Sequence, residues 1–348
     1  MNTIRIIEKL KKGDRLTDDE LLCLLNAEGE DEKLLTEAGR RTREAVYGND
    51  VYIRGLIEVS SYCKNDCLYC GLRRSNRCAE RYRLTPEEIF ACADAGYALG
   101  FRTFVLQGGE DAYFTDDVVC STVERLKSTY PDCAVTLSLG ERSRESYARL
   151  RAAGADRYLL RHETSNPEHY ARLHPKELTL ENRMKCLYDL KKLGFQTGCG
   201  FMVGSPTQTM EDIVGDLRFI EEFKPHMVGI GPFIPHKDTP FAGEKAGSVD
   251  TTIKCLAIVR LMLPDVLLPA TTALGTLLDG GRERGILAGA NVVMPNLSPE
   301  NVRGKYLLYN NKLSTGVESA EGLRALDEKM KNIGCRIVCA RGDHISKQ

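Results

Sequence analysis

The stretch Val51-Tyr-Ile-Arg-Gly-Leu-Ile-Glu-Val59 decides the fold. Its β-branched and aromatic residues mark a strand. A cysteine-rich loop follows, and then Thr85-Pro86-Glu87-Glu88 opens a helix. Thr is the N-cap there, Pro takes the first helical position and Glu the third, and Gly100 stops the helix. Downstream the alternation recurs. Apolar runs at 103–106, 134–139, 157–160, 197–203, 227–230, 267–271 and 291–294 bring the predicted strands to eight. The stretches 145–153, 181–193, 209–223 and 251–263 between them have helical character. Strands alternating with helices build a parallel sheet with crossover connections. Eight units predict an α/β chain with a (β/α)8 TIM-type barrel; an open doubly wound sheet is the alternative.

The flanks read differently. Residues 1–47 predict an N-terminal helical extension, with a capping box at Thr17-Asp18-Asp19-Glu20. The barrel is expected over 48–298. Residues 299–348 form a C-terminal covering segment ending in a helix near 319–332.

Composition narrows the function. The chain of 348 residues carries 48 basic and 49 acidic side chains, a balance that argues against a nucleic-acid binder. No apolar run approaches the ~20 residues of a membrane span. The N-terminus is charged throughout and does not read as a signal peptide. Thirteen cysteines, an odd number, predict a reducing cytoplasm rather than a disulfide framework. The G-x-S-x-G, H-E-x-x-H and phosphate-loop patterns are absent, so hydrolase, zincin and nucleotide-triphosphatase chemistry lose support.

Chemistry concentrates in Cys63-Lys-Asn-Asp-Cys67-Leu-Tyr-Cys70, just past the first strand. Three thiolates in one loop repel one another and call for a cation. A closed structural zinc site needs a fourth ligand. A four-iron cluster held by three cysteines keeps one iron open to a second molecule. Three unrelated buried cysteines are the bland alternative. His162, His169 and His174 share no helical face and are expected not to ligate metal. Cys23, Cys78, Cys92, Cys120, Cys133, Cys186, Cys199 and Cys255 are expected to pack, as are Cys335 and Cys339.

The C-x3-C-x2-C pattern, with an aromatic before its third cysteine, resembles the signature of radical S-adenosylmethionine (SAM) enzymes. Gln107-Gly108-Gly109-Glu110 resembles that superfamily's GGE motif, and Gly200-Phe-Met-Val-Gly-Ser-Pro-Thr-Gln-Thr209 its adenine-side motif. Within the superfamily, residues 45–310 resemble the HydE family of [FeFe]-hydrogenase maturases. That likeness is carried by Cys70-Gly-Leu-Arg-Arg, Arg81-Tyr-Arg-Leu-Thr-Pro-Glu-Glu-Ile, Tyr158-Leu-Leu-Arg-His-Glu-Thr, Met227-Val-Gly-Ile-Gly-Pro-Phe-Ile-Pro-His, Pro269-Ala-Thr-Thr-Ala and Gly289-Ala-Asn-Val-Val-Met-Pro-Asn. Methylornithine synthase and biotin synthase share parts of the pattern.

The resemblance implies one [4Fe-4S] cluster on Cys63, Cys67 and Cys70, with SAM chelating the open iron and yielding a 5′-deoxyadenosyl radical. It implies SAM contacts from Tyr69, Gln107, Gly108, Gly109, Glu163, Arg183 and Met202. It implies an anionic, carboxylate-bearing substrate held by residues such as Thr136, Ser138, Arg161, Thr271, Thr272, Tyr306 and Tyr309. The substrate would be a small cysteine-bound organometallic iron precursor. The partners would be the maturases HydG and HydF and an electron donor, with neither nucleic acid nor membrane. A mutase of the methylornithine synthase type, a sulfur-insertion enzyme of the biotin synthase type, and a non-catalytic iron–sulfur or zinc carrier are the competing readings. Some relatives carry a second cluster after the barrel. Here residues 295–334 contain no cysteine, so no second cluster is expected.

Overall fold

Strands and helices alternate as the apolar pattern requires in this computed structural model, which describes residues 2–347. The first run splits at Arg54 into β1 (Asp50–Ile53) and β2 (Gly55–Ser60). Then come β3 (Thr103–Gly108), β4 (Ala134–Ser138), β5 (Arg157–Leu159), β6 (Gln196–Cys199), β7 (Met202–Val203), β8 (Met227–Val228), β9 (Gly231–Pro232), β10 (Val292–Val293) and β11 (Arg336–Val338). One parallel sheet has the order β2-β3-β4-β5-β6-β8. Shorter parallel sheets have the orders β10-β1-β11 and β7-β9. The chain is thus α/β with a parallel sheet, every residue of β2 being buried, as a sheet covered on both faces demands.

The expected eight full ladders are not all drawn. The run at 267–271 contributes only single parallel bridges, Leu267 to Met227 and Pro269 to Val292, because Pro269 has no N–H for a regular ladder. Leu56 bridges Asn296 at the other edge, where Leu56 N donates to Pro295 O at 2.9 Å and Leu297 N to Leu56 O at 2.7 Å.

The helix Pro86–Ala98 begins at the expected capping box, Thr85 and Glu88 accepting from each other's backbone N–H. The N-terminal helices Thr3–Lys11, Asp18–Leu25 and Glu30–Tyr47 contribute Leu10, Leu24 and Leu35 to the same core as Ile57 and Leu106. Gly39 allows the third helix to lie against Ala257 and Ala288, since a Cβ there would meet Ala288 O at 2.3 Å. Among the described residues no helix is long and apolar enough to cross a membrane.

The C-terminal segment is more deeply built in than a cover. Its helix begins at Leu323 and buries Leu326 and Met330. The strand β11, which the sequence pattern did not signal, then pairs with β1. Cys335 is buried and accepts from Arg43 Nη1 at 3.1 Å. Two cysteines expected to pack, Cys78 and Cys339, are instead exposed. They lie in a surface turn and just past an edge strand, where no second layer covers them.

Beyond β11 the tail reaches the sheet. Asp343 Oδ1 lies 2.6 Å from Nη2 of Arg157, whose side chain is fully buried. Burial pushes the Asp343 carboxyl up, but Arg157, Arg341 and Gln196 outweigh it and hold the group down at about 2. Asp343→Ala strands the Arg157 charge and is expected to cost ~3 kcal/mol of stability. Because the folded pKa is depressed, this contribution is present above pH ~4 and lost as pH falls toward 2. Thermal denaturation of both proteins between pH 7 and 2.5 reads the difference, which should shrink at the acid end.

Candidate active site

The loop after β2 is held from several sides. Lys64 N donates to Glu110 O at 2.9 Å, Leu68 N to Leu173 O at 2.9 Å, Gly71 N to Leu308 O at 2.9 Å and Arg74 N to Asn65 O at 2.8 Å. Asp66 accepts from Arg73 Nε at 2.8 Å and from both the amide and hydroxyl of Ser75, which pins the following turn to the cysteines. Arg81 bonds the carbonyls of Ser61, Leu72, Arg73 and Asn76 with one guanidinium. A fork of five N–H groups suits that task.

Cys63, Cys67 and Cys70 face a cavity of about 370 Å³ at the ends of the strands. Burial pushes all three thiols up, Cys70 to about 12, and neighbouring sulfurs add to the shift at Cys67 and Cys70. As bare thiols they are held neutral; bound cations would hold them as thiolates. Among the described residues no three His, Cys, Asp or Glu side chains are gathered for a single metal ion. This donor set, three sulfurs facing one cavity, fits a multi-iron cluster, whose irons carry separate thiolates.

The glycines after β3 allow this approach. A Cβ at Gly109 would stand 2.2 Å from Tyr62 O and 2.8 Å from Cys63 Cβ. Gly109→Ala is therefore expected to displace the first cysteine and lower iron incorporation by about tenfold or more, as iron analysis of anaerobically purified protein would read. Gln107 and Gly108 line the cavity beside it. Gln107 Nε2 also reaches Tyr306 OH at 3.5 Å, which ties β3 to the C-terminal segment.

Tyr69, Met202, Glu163 and Arg183 share the cavity wall. The Tyr69 hydroxyl meets His174 Nε2 at 3.3 Å, while His174 Nδ1 lies 3.0 Å from Tyr170 O. That carbonyl accepts from Nδ1–H, which leaves Nε2 to accept from the Tyr69 hydroxyl. Burial drops the His174 pKa to about 3, so the ring stays neutral. His174 thus positions Tyr69, a role its sequence spacing did not reveal.

Glu163 adopts φ 67°, a left-handed conformation uncommon for a residue with a side chain. It is kept there by its N–H, which donates to Gly200 O at 3.0 Å. Its carboxylate lies 3.1 Å from Arg161 Nη2, an ion pair on the cavity wall. Arg161 Nε has no hydrogen-bond partner in its buried setting. Arg183 donates to Arg161 O at 2.6 Å and to Glu141.

Ser138, Arg161, Thr271, Thr272, Tyr306 and Tyr309 also line the cavity. Thr271 Oγ1 is buried without a partner, whereas Thr272 Oγ1 is bonded to Glu318 Oε2 at 2.9 Å. Thr136 is the exception and does not reach the cavity wall. It lies two residues before Ser138 on β4, on the same strand face but one step deeper. The sequence reading missed Glu58 and Lys312, an ion pair at 2.7 Å whose side chains are 0% and 7% exposed on the cavity wall.

Residues 57–220 match the Radical SAM superfamily. The chain is 49% identical over 310 residues to the [FeFe] hydrogenase maturase subunit HydE of Thermotoga maritima, covering 88% of each. The chain belongs to the HydE family of radical SAM enzymes. It is also similar to the solved structure of methylornithine synthase (PylB), with a TM-score of 0.85 and 27% identity, over 96% of this chain and 97% of that one. It shares its fold with HydG, a maturase of the [FeFe]-hydrogenase, at a TM-score of 0.80 and 21% identity, over 97% of this chain and 76% of that one. Membership of this family implies a [4Fe-4S] cluster and SAM, and it sets the chain among the hydrogenase maturation proteins.

Proposed function

We propose that this HydE-family enzyme uses one [4Fe-4S] cluster to cleave SAM to a 5′-deoxyadenosyl radical, which acts on a cysteine-bound organometallic iron precursor of the [FeFe]-hydrogenase diiron subsite. The observation that carries the reading is convergence. Three cysteines, the Gly108–Gly109 turn and the residues ending β4 and β5 meet on one cavity. Its volume of about 370 Å³ is in the range of small-molecule sites.

Each residue then has a task. Cys63, Cys67 and Cys70 hold three irons. The backbone at Gln107, Gly108 and Gly109 holds the amino group of SAM, and Glu163 accepts from its ribose hydroxyls. Tyr69 and Met202 flank the adenine, and Arg183 faces the carboxylate. Arg161, whose Nε–H is unbonded, and Thr271, with an unbonded hydroxyl, offer donors to an anionic substrate. Ser138, Thr272, Tyr306 and Tyr309 complete that wall, with Thr136 acting from below. The covering segment keeps water from the radical.

The single bridges at Leu56, Leu267 and Pro269 support an eight-stranded (β/α)8 arrangement over 48–298, flanked by the 1–47 extension and the 299–348 segment. HydG upstream, HydF as scaffold and a one-electron donor are the partners of a cytoplasmic enzyme with one cluster. EPR of the anaerobically reconstituted, reduced protein tests the reading. A four-iron signal that shifts on adding SAM, followed by 5′-deoxyadenosine formation, is expected, with about four irons per chain. A colourless zinc protein, or a cluster indifferent to SAM, would leave the metal-carrier reading standing. The likeness to methylornithine synthase keeps a mutase reading in view, and formation of methylornithine would favour it.

A further inference from the structure

Charge is unevenly spread around the cysteine loop. The chain as a whole is at −1, yet residues 62–83 hold six basic residues and two acidic ones. Arg74 and Arg77 are exposed, and among the described residues no carboxylate pairs with either. Lys64, 64% exposed, lies beside Cys63 and reaches Glu110 at 3.2 Å. The hydrogen bond from Leu68 to Leu173 brings the exposed Arg172 and Lys176 to the same loop. Glu80, Glu168 and Glu177 are the exposed opposing acids; Glu80 faces Lys305 at 3.5 Å, and Glu168 lies one helical turn before Arg172.

The position of this basic face is as telling as its sign. Arg74 is bonded through its own N–H to Asn65, between the first two cysteines, and Asp66 fixes the turn that carries it. The backbone that carries these cations is therefore fixed beside the cysteine loop, which is exposed at Tyr62 and Lys64. Exposed apolar groups, Tyr62 and Leu307, flank the same loop, Gly71 lying directly against the Leu307 carbonyl. A cationic rim with small apolar contacts suits a brief, electrostatically steered encounter, as electron-transfer complexes are.

We propose that this face, formed by Arg74 and Arg77 with Lys64, Arg172 and Lys176, docks an acidic one-electron carrier protein. The inference rests on the cluster assigned above. One electron leaves the carrier's reduced prosthetic group, which is oxidised by one unit, and enters the cluster; no atoms are exchanged. Electron transfer falls steeply with distance, so the carrier must sit close to the cysteine loop, and the basic turn is bonded to that loop through Asn65.

The test uses reconstituted protein, with a reduced acidic ferredoxin as probe and cluster bleaching followed by stopped flow. For the wild type the second-order rate should fall steeply as salt rises from 20 to 300 mM. Arg74→Glu/Arg77→Glu should slow it by about tenfold or more at low salt and flatten the salt dependence, while Arg74→Lys/Arg77→Lys retains most of it. Photoreduction by deazaflavin should proceed at the wild-type rate in all three proteins. Equilibrium binding of the oxidised ferredoxin should weaken in parallel. Unchanged ferredoxin rates in the Glu variant, or a wild-type rate indifferent to salt, overturn the proposal. If only the paired variant loses its cluster, Arg77→Glu alone, farther along the chain from Cys70, decides on the same criteria. A cluster that is reduced by ferredoxin yet does not cleave SAM would count against the enzyme reading and leave the docking face intact.

Discussion

Cys67→Ala is expected to abolish 5′-deoxyadenosine formation, a loss of about 10³-fold or more, equal to ~4 kcal/mol of transition-state stabilisation. Cys67 is the middle one of the three cysteines, in a loop whose backbone is bonded from several sides. No described side chain is gathered there to replace it. Its thiol is pushed up by burial and by Cys70 and Cys63, so the loop without its cluster holds neutral thiols and has no reason to collapse. The variant should therefore keep its circular dichroism and melting temperature while losing iron and colour. An unchanged rate of SAM cleavage in Cys67→Ala would sink the assignment of the cysteine loop. Loss of folding along with iron would show that the cluster braces the loop as well.

The cysteine motif and the glycine turn were legible because each is local. Three sulfurs within eight residues and two adjacent glycines declare their chemistry at short range. The alternating pattern of strands and helices was legible for the same reason, since period and caps are properties of neighbours. What was hidden depends on contacts between distant parts of the chain. His174 read as a non-ligand, which says nothing of its bond to Tyr69. Thr136 has the chemistry expected of a substrate contact, but its depth along β4 is set by how the strand is staggered. The strand β11 is three residues long and at a sheet edge, too short for period to signal.

The pair Glu58–Lys312 was hidden in the same way, and Lys312→Met is expected to destabilise the fold by ~3–5 kcal/mol. Glu58 is fully buried on β2, where Asn296 Nδ2 donates to its second oxygen at 2.8 Å. Lys312 reaches it from the C-terminal segment, passing 5.5 Å from the Tyr306 ring. Methionine preserves much of the lysine stem but leaves the carboxylate buried without its cation. Adding Glu58→Gln should recover most of the loss, because the amide oxygen still accepts from Asn296 and no charge is stranded. A double-mutant cycle by thermal denaturation measures the coupling. The segment around 306–312 also bonds the cysteine loop through Leu308 and the loop after β9 through Asn310. Hydrogen exchange at 306–312 should therefore rise in Lys312→Met and return in the double variant. A Lys312→Met protein that melts and exchanges like the wild type would show that the pair does not hold the cover over the cavity.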